Sequence, residues 1–197
     1  MYYQLRIIAG RLRGRKLKVL HDPKVRPMPD RVRAALFSIL GDAVPDRYFF
    51  DVFAGSGSVG LEALSRGARR VVFVEKDSRF ATALQSHIKQ FLIDDQCQVL
   101  QADAYRWADK GAIPNEPVNV FVGPPYNEFD VHYDAVRWMI ETLQQKLAPG
   151  SVLTVQADRN FPADILPQEG AWDIRVYGRT QLAIWLKPLI QDANDSP

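Results

Sequence analysis

Asp51-Val52-Phe53-Ala54-Gly55-Ser56-Gly57-Ser58-Val59-Gly60 joins a strand-like run, residues 48–53, to a short helix that ends at Gly67. Glycines at such a junction let the backbone turn sharply. They also let a ligand reach main-chain N–H groups with no Cβ in the way. Gly55, Gly57 and Gly60 spell G-x-G-x-x-G, a weak signal alone. It gains weight from its place between strand and helix, and from Glu75, which ends the next strand 20 residues after Gly55. A carboxylate there can accept both ribose hydroxyls of an adenosine cofactor.

Outward from this junction the chain alternates strand and helix. Residues 70–75 read as a second strand, and 78–92 as a helix with Phe80, Ala83, Leu84, Ile88 and Phe91 inward. Residues 98–101 are a third strand and 118–122 a fourth. A long helix over 132–148 aligns Val136, Met139, Ile140, Leu143 and Leu147, and 152–156 is a fifth strand. Residues 172–177 and 182–186 form a final antiparallel hairpin. Alternation of this kind predicts an α/β fold with a doubly wound, mostly parallel, seven-stranded sheet.

The fourth strand runs into Gly123-Pro124-Pro125-Tyr126. Two prolines stop it, since neither donates to a ladder and each fixes φ. The result is a stiff turn with an aromatic ring at its end. Backbone carbonyls there can face the edge of a flat heterocycle while the ring covers its face. Asn127, Glu128 and Asp130 follow as a loop that could close over such a base.

Before the sheet, residues 5–10 and 15–19 read as arms of a hairpin around Gly10 and Gly14. Residues 25–29 are extended ahead of their prolines. Asp30 is placed to cap a helix that ends at Gly41, with Val32, Ala35, Leu36, Ile39 and Leu40 on one face. Residues 1–25 are thus expected as a basic N-terminal hairpin, 26–190 as one catalytic-type domain and 191–197 as a frayed polar tail.

The chain has 197 residues, 47% hydrophobic and 24% charged, as expected of one ordinary globular domain. Net charge is only +2, but it is segregated. Residues 1–37 hold ten Lys or Arg against Asp22 and Asp30, leaving 15 basic against 21 acidic side chains elsewhere. That asymmetry points to a polyanion at the N-terminal segment. Arg6, Arg11, Arg13, Arg15, Lys16, Arg26, Arg31 and Arg33 are its candidate contacts. No run approaches the about 20 apolar residues that span a bilayer, and the first residues lack a signal-peptide core. A cytoplasmic protein without membrane association is expected. The single Cys97 forms no internal disulfide and reads as a buried thiol, and no metal site is expected. His87 lies in an apolar helical stripe and reads as a packed or edge residue.

The Gly-rich turn leaves a dinucleotide or S-adenosylmethionine as cofactor. Three features favour the latter. Asp51 offers a carboxylate where a methionine amino group would lie, Asp103 follows the third strand where an adenine amino group would lie, and the Gly-Pro-Pro-Tyr turn follows the fourth. Open α/β sheets bind ligands at the carboxyl ends of their strands, so these elements converge on one crevice.

Three blocks together resemble the bacterial 16S rRNA guanine-N2 methyltransferases: Arg6-Ile7-Ile8-Ala9-Gly10 with Arg13-Gly14-Arg15-Lys16-Leu17; Arg26-Pro27 with Asp30-Arg31-Val32-Arg33 and Leu36-Phe37; and Asp51 to Gly57 with Gly60-Leu61-Glu62-Ala63-Leu64-Ser65-Arg66-Gly67-Ala68. The resemblance runs from about Leu5 to Lys187. It implies a class I S-adenosylmethionine-dependent methyltransferase, Rossmann-like, that modifies the exocyclic amine of a guanine in rRNA, within a small-subunit particle and as a monomer. It implies catalytic roles for Gly123, Pro124, Pro125 and Tyr126. Cofactor contacts would come from Asp51, Phe53, Ala54, Gly55, Ser56, Gly57, Glu75, Lys76, Asp103 and Ala104.

The chain departs from the family in two places. Gly123 stands where the family has Asp or Asn, and Met28 where it usually has Thr. In the family's scheme the Asp or Asn side chain and a Pro carbonyl accept the two amine hydrogens while the aromatic stacks on the flipped base. With glycine, one acceptor is missing. Three alternatives therefore stand: an RNA-binding protein that keeps the cofactor fold but has weak or lost transfer, a nucleotide-dependent oxidoreductase, and a methyltransferase of another nucleic-acid amine such as adenine N6.

Overall fold

The computed structural model describes residues 2–22, 27–161, 163–168 and 170–189. Arg26 and the expected tail at 191–197 lie outside the described residues.

A two-stranded antiparallel hairpin, β1 (Tyr2–Arg6) and β2 (Lys16–Leu20), precedes helix α1 (Asp30–Leu40). Then follow β3 (Tyr48–Val52), α2 (Ser58–Ser65), β4 (Arg70–Glu75), α3 (Ser78–Phe91), β5 (Cys97–Gln101), α4 (Ala104–Lys110) and β6 (Asn119–Val122). The chain continues through α5 (Glu128–Val131), α6 (Tyr133–Lys146), β7 (Val152–Asp158), β8 (Asp173–Tyr177) and β9 (Thr180–Leu186). The main sheet has seven strands in the order β5-β4-β3-β6-β7-β9-β8. Pairings from β5 to β7 are parallel, and β9 is antiparallel to both β7 and β8. The expected seven-stranded, mostly parallel sheet with a terminal antiparallel hairpin is what the chain forms.

The interior strands are apolar on both faces because helices cover both. One layer packs Val32, Leu36, Leu61, Leu64, Phe73, Leu84 and Ile88 together, and the other packs Phe50, Trp107, Met139, Leu143 and Trp185. Ile7, Leu12, Leu17 and Val19 of the hairpin belong to the first layer. The hairpin is thus an integral part of that core, with its cations on the outer side.

Local chemistry explains the helix ends. Asp77 caps α3 by accepting the Arg79 N–H at 2.8 Å, and Asp103 caps α4 through the N–H groups of Tyr105 and Arg106. Asp30 does not cap α1 as expected. Pro29 holds the cap position, and the Asp30 carboxylate pairs with Arg33 one turn on at 3.0 Å. Helices α4 and α5 were not expected from the sequence, because neither is long enough to show a helical period.

His87 is buried, and its Nε2 accepts the Lys18 N–H at 3.0 Å, tying α3 to the hairpin. Cys97 is buried at the start of β5, and burial pushes its thiol up to about 12. Among the described residues no helix is long and apolar enough to cross a membrane.

Candidate active site

The strand order reverses between β3 and β6, and their carboxyl ends open a crevice of the kind in which α/β sheets bind ligands. A cleft of about 810 Å³ lies there, within the range of small-molecule sites. Asp51, Phe53, Ala54, Gly55, Ser56, Glu75 and all of Gly123 to Tyr126 line it.

The turn after β3 is held by acids rather than by its glycines alone. Asp51 is buried and its Oδ2 accepts the Gly60 N–H at 2.8 Å, which fixes the start of α2. Burial pushes the Asp51 carboxyl up to about 7; the Gly60 bond opposes that rise and the Glu75 charge adds to it. Glu75 accepts the N–H of Gly55 and of Asp77, each at 2.7 Å, and burial is the main cause that raises its carboxyl above the usual range. Phe53 adopts φ 63°, a left-handed conformation that costs a bulky residue of order 1–3 kcal/mol. Its ring meets Tyr105 edge-on at 5.8 Å. The Tyr105 hydroxyl donates to Glu128 at 2.7 Å, which anchors the loop after Tyr126 to α4.

Four of the expected cofactor contacts lie outside the cleft lining. Gly57 faces α3: a Cβ there would stand 2.4 Å from Leu84 Cδ1, so this glycine serves close packing. Lys76 and Asp103 pair with each other at 3.1 Å, and Ala104 is buried at the start of α4.

Gly123 follows β6 and donates its N–H to the Val52 carbonyl at 3.1 Å. The Pro125 carbonyl accepts the Glu128 N–H at 2.9 Å and so begins α5. Among the described residues no donor reaches the carbonyls of Gly123 or Pro124. A Cβ on Gly123 would lie 2.7 Å from Phe121 Cε1, so any side chain at this position requires that ring to move. The Tyr126 hydroxyl lies 3.4 Å from Thr180 Oγ1.

Sequence reading missed Phe121, Gln156, Asp158, Asn160, Phe161 and Arg179, which also line the cleft. Nothing local marks them. They come from β6, β7, the segment just after β7 and the β8–β9 turn, and only strand order sets them around the Gly-Pro-Pro-Tyr turn.

The basic segment divides into two kinds of cation. Arg6, Arg11, Arg13, Arg15, Lys16 and Arg31 are exposed. Arg33, expected beside them as an RNA contact, is fully buried. It donates to the Arg6 carbonyl at 2.8 Å and to Asp30 at 3.0 Å, and lies 3.7 Å from Glu62. A guanidinium so enclosed is a structural brace. It presents nothing to a polyanion.

A family model described as conserved hypothetical protein 95 matches residues 5–186. The chain is 34% identical to the ribosomal RNA small subunit methyltransferase D of Haemophilus influenzae over 165 residues, 81% of each chain. It is 34% identical to the putative rRNA methyltransferase YlbH of Bacillus subtilis over 189 residues, 93% of this chain and 99% of that one. Among solved structures, the putative methyltransferase yhhF of Escherichia coli superposes with a TM-score of 0.75 at 30% identity, covering 94% of this chain and 99% of the other. The sheet is that of the class I methyltransferases.

Proposed function

Because the chain belongs to the family described as conserved hypothetical protein 95, we propose that it is an S-adenosylmethionine-dependent rRNA methyltransferase that modifies the exocyclic N2 amine of a guanine in 16S rRNA. The observation that carries the reading is one cleft lined both by the two carboxylates, Asp51 and Glu75, and by the Gly-Pro-Pro-Tyr turn. Relatives of this length are named as rRNA methyltransferases, which supports the substrate class.

The residues present fit the cofactor. Asp51 is a buried carboxylate on the cleft with one backbone donor and, among the described residues, no ion pair. An ammonium completes such a setting, since burying an unpaired charge is costly. Glu75 sits at the end of β4 with oxygens free to accept ribose hydroxyls as well as its backbone donors. When bound, S-adenosylmethionine supplies an electrophilic sulfonium methyl.

The chain's own residues then bind and orient the amine. Tyr126 stacks on the extruded base, a contact worth roughly 1–3 kcal/mol. The free Pro124 carbonyl accepts one amine hydrogen, which turns the nitrogen lone pair toward the donor side of the cleft. Phe121, Phe129 and Phe161 exclude water around it. The exposed cations of the hairpin hold the RNA backbone, and the substrate is 16S rRNA within a small-subunit particle, met by a monomeric cytoplasmic enzyme.

The test is methyl transfer from labelled S-adenosylmethionine to deproteinised 16S rRNA and to small subunits, with mapping of 2-methylguanosine. Label at a guanine N2 is expected. Label only on adenine would overturn the amine assignment. A second reading, favoured by Gly123, is an RNA-binding protein of the same fold with lost transfer. It predicts binding of S-adenosylhomocysteine and rRNA with no label incorporated.

A further inference from the structure

We infer that Gln156 supplies the amine acceptor that Gly123 lacks. This rests on the reading of the cleft as the place where an exocyclic amine is held.

The register of the sheet carries the inference. β6 and β7 are parallel neighbours, with Phe121 opposite Thr154 and Val122 opposite Val155. One step on, Gly123 stands beside Gln156. Side chains alternate along a strand, so Phe121, residue 123, Thr154 and residue 156 share one face. The ideal Cβ at Gly123 runs into the Phe121 ring, which places the missing side chain on that face. Gln156 therefore projects on the face where an Asp at 123 would project, from the adjacent strand about 4.8 Å away.

The chemistry of Gln156 points the same way. It is only 7% exposed, yet it lines the cleft. Its side-chain amide makes no hydrogen bond with any described residue, although its neighbours Thr154, Val155 and Ala157 are buried around it. Its amide atoms are not sealed in the interior but open onto the cleft, where the amine of a bound base is a ready partner. Its Oε1 accepts an amine hydrogen as an Asp oxygen would, but without charge. Asp158, on the same face, is less well placed. It lies two residues further out, and its Oδ1 already accepts the Asn160 N–H at 3.2 Å. With Gln156 on one hydrogen and the Pro124 carbonyl on the other, the amine is oriented again.

Gln156→Met keeps length and removes the acceptor; Gln156→Glu keeps an acceptor. The first readout is binding of guanosine and of inosine, which lacks the 2-amino group, followed by ligand line broadening with S-adenosylhomocysteine present. Gln156→Met keeps only the Pro124 acceptor, so its preference for guanosine is expected to be weaker than that of the wild type and of Gln156→Glu by roughly tenfold, the worth of one hydrogen bond. The second readout is transfer to rRNA. In Gln156→Met, kcat falls by about 10²-fold while KM for rRNA holds, and adding Gly123→Asp restores much of the loss. Melting temperatures equal to the wild type show that Gln156→Met and Gln156→Glu fold, and a cooperative melt shows it for the Gly123→Asp variant, in which the Phe121 ring must shift. A guanosine preference undiminished in Gln156→Met overturns the inference, as does a wild type that binds inosine equally well. A wild type that discriminates through Gln156 but transfers no methyl group leaves the inference standing and removes the methyltransferase reading instead.

Discussion

Glu62 Oε2 accepts the backbone N–H of Ile8 at 2.7 Å, a bond that spans 54 positions of the chain. The same fully buried carboxylate accepts the Ala9 N–H at 3.1 Å, pairs with Arg66 at 2.8 Å and faces Arg33 at 3.7 Å. One acid of α2 therefore fastens the hairpin and α1 to the sheet. Glu62→Ala leaves the buried Arg33 with Asp30 as its one remaining acid and orphans two backbone donors, so a loss of about 3–5 kcal/mol is expected. Urea denaturation measures it. A double variant with Arg33→Met should lose less than the sum of the two single variants, because the residues share one network.

Asp51 gives the protein a pH dependence of definite sign. Its carboxyl titrates near 7 in the folded chain against 3.8 for the free group. Between those values the folded state binds a proton that the unfolded state has released, so stability falls as pH rises. The contribution is complete below about pH 4 and is lost as pH passes 7. Asp51→Asn should flatten the decline in melting temperature across that window. The same substitution should weaken S-adenosylhomocysteine binding, which calorimetry at pH 7.5 would detect.

Gly123 and Phe121 are coupled by space. The ideal Cβ at 123 lies 2.7 Å from Phe121 Cε1 and 3.2 Å from Cζ. Gly123→Ala is expected to cost about 1–3 kcal/mol by overpacking. Phe121→Leu clears the site at its own cavity cost. In the double variant the alanine should cost almost nothing further, and thermal melts of the four proteins would reveal that non-additivity.

The exposed and enclosed cations should separate in one experiment. Arg13→Ala with Lys16→Ala removes two exposed charges of the hairpin. Affinity for rRNA should fall, and the slope of log affinity against log salt should drop by roughly 0.7–0.9 for each phosphate that is no longer neutralised. Melting temperature should hold. Arg33→Ala should do the reverse in kind, lowering the melting temperature strongly because Glu62 is left buried with one cation fewer. An unaltered salt slope in the double variant would exclude this face as the RNA-binding surface.

The sequence by itself determined the sheet, because its evidence is local. Strand runs such as residues 70–75, the apolar stripe of α3 and the strand stop at Pro124 and Pro125 each follow from backbone sterics and side-chain period within a few residues. It also determined that Asp51, Glu75 and the Gly-Pro-Pro-Tyr turn meet in one cleft, since strand ends in a doubly wound sheet converge. Asp103, expected with them, pairs with Lys76 outside the lining. Only the tertiary structure decided what a polar residue faces. Arg31 and Arg33 lie two positions apart in one helix, yet one is exposed and the other encloses its charge against Glu62, 29 residues away. Gln156 acquires meaning only when β7 pairs with β6 and sets it beside Gly123. Burial and register are properties of distant segments brought together, and no local pattern carries them.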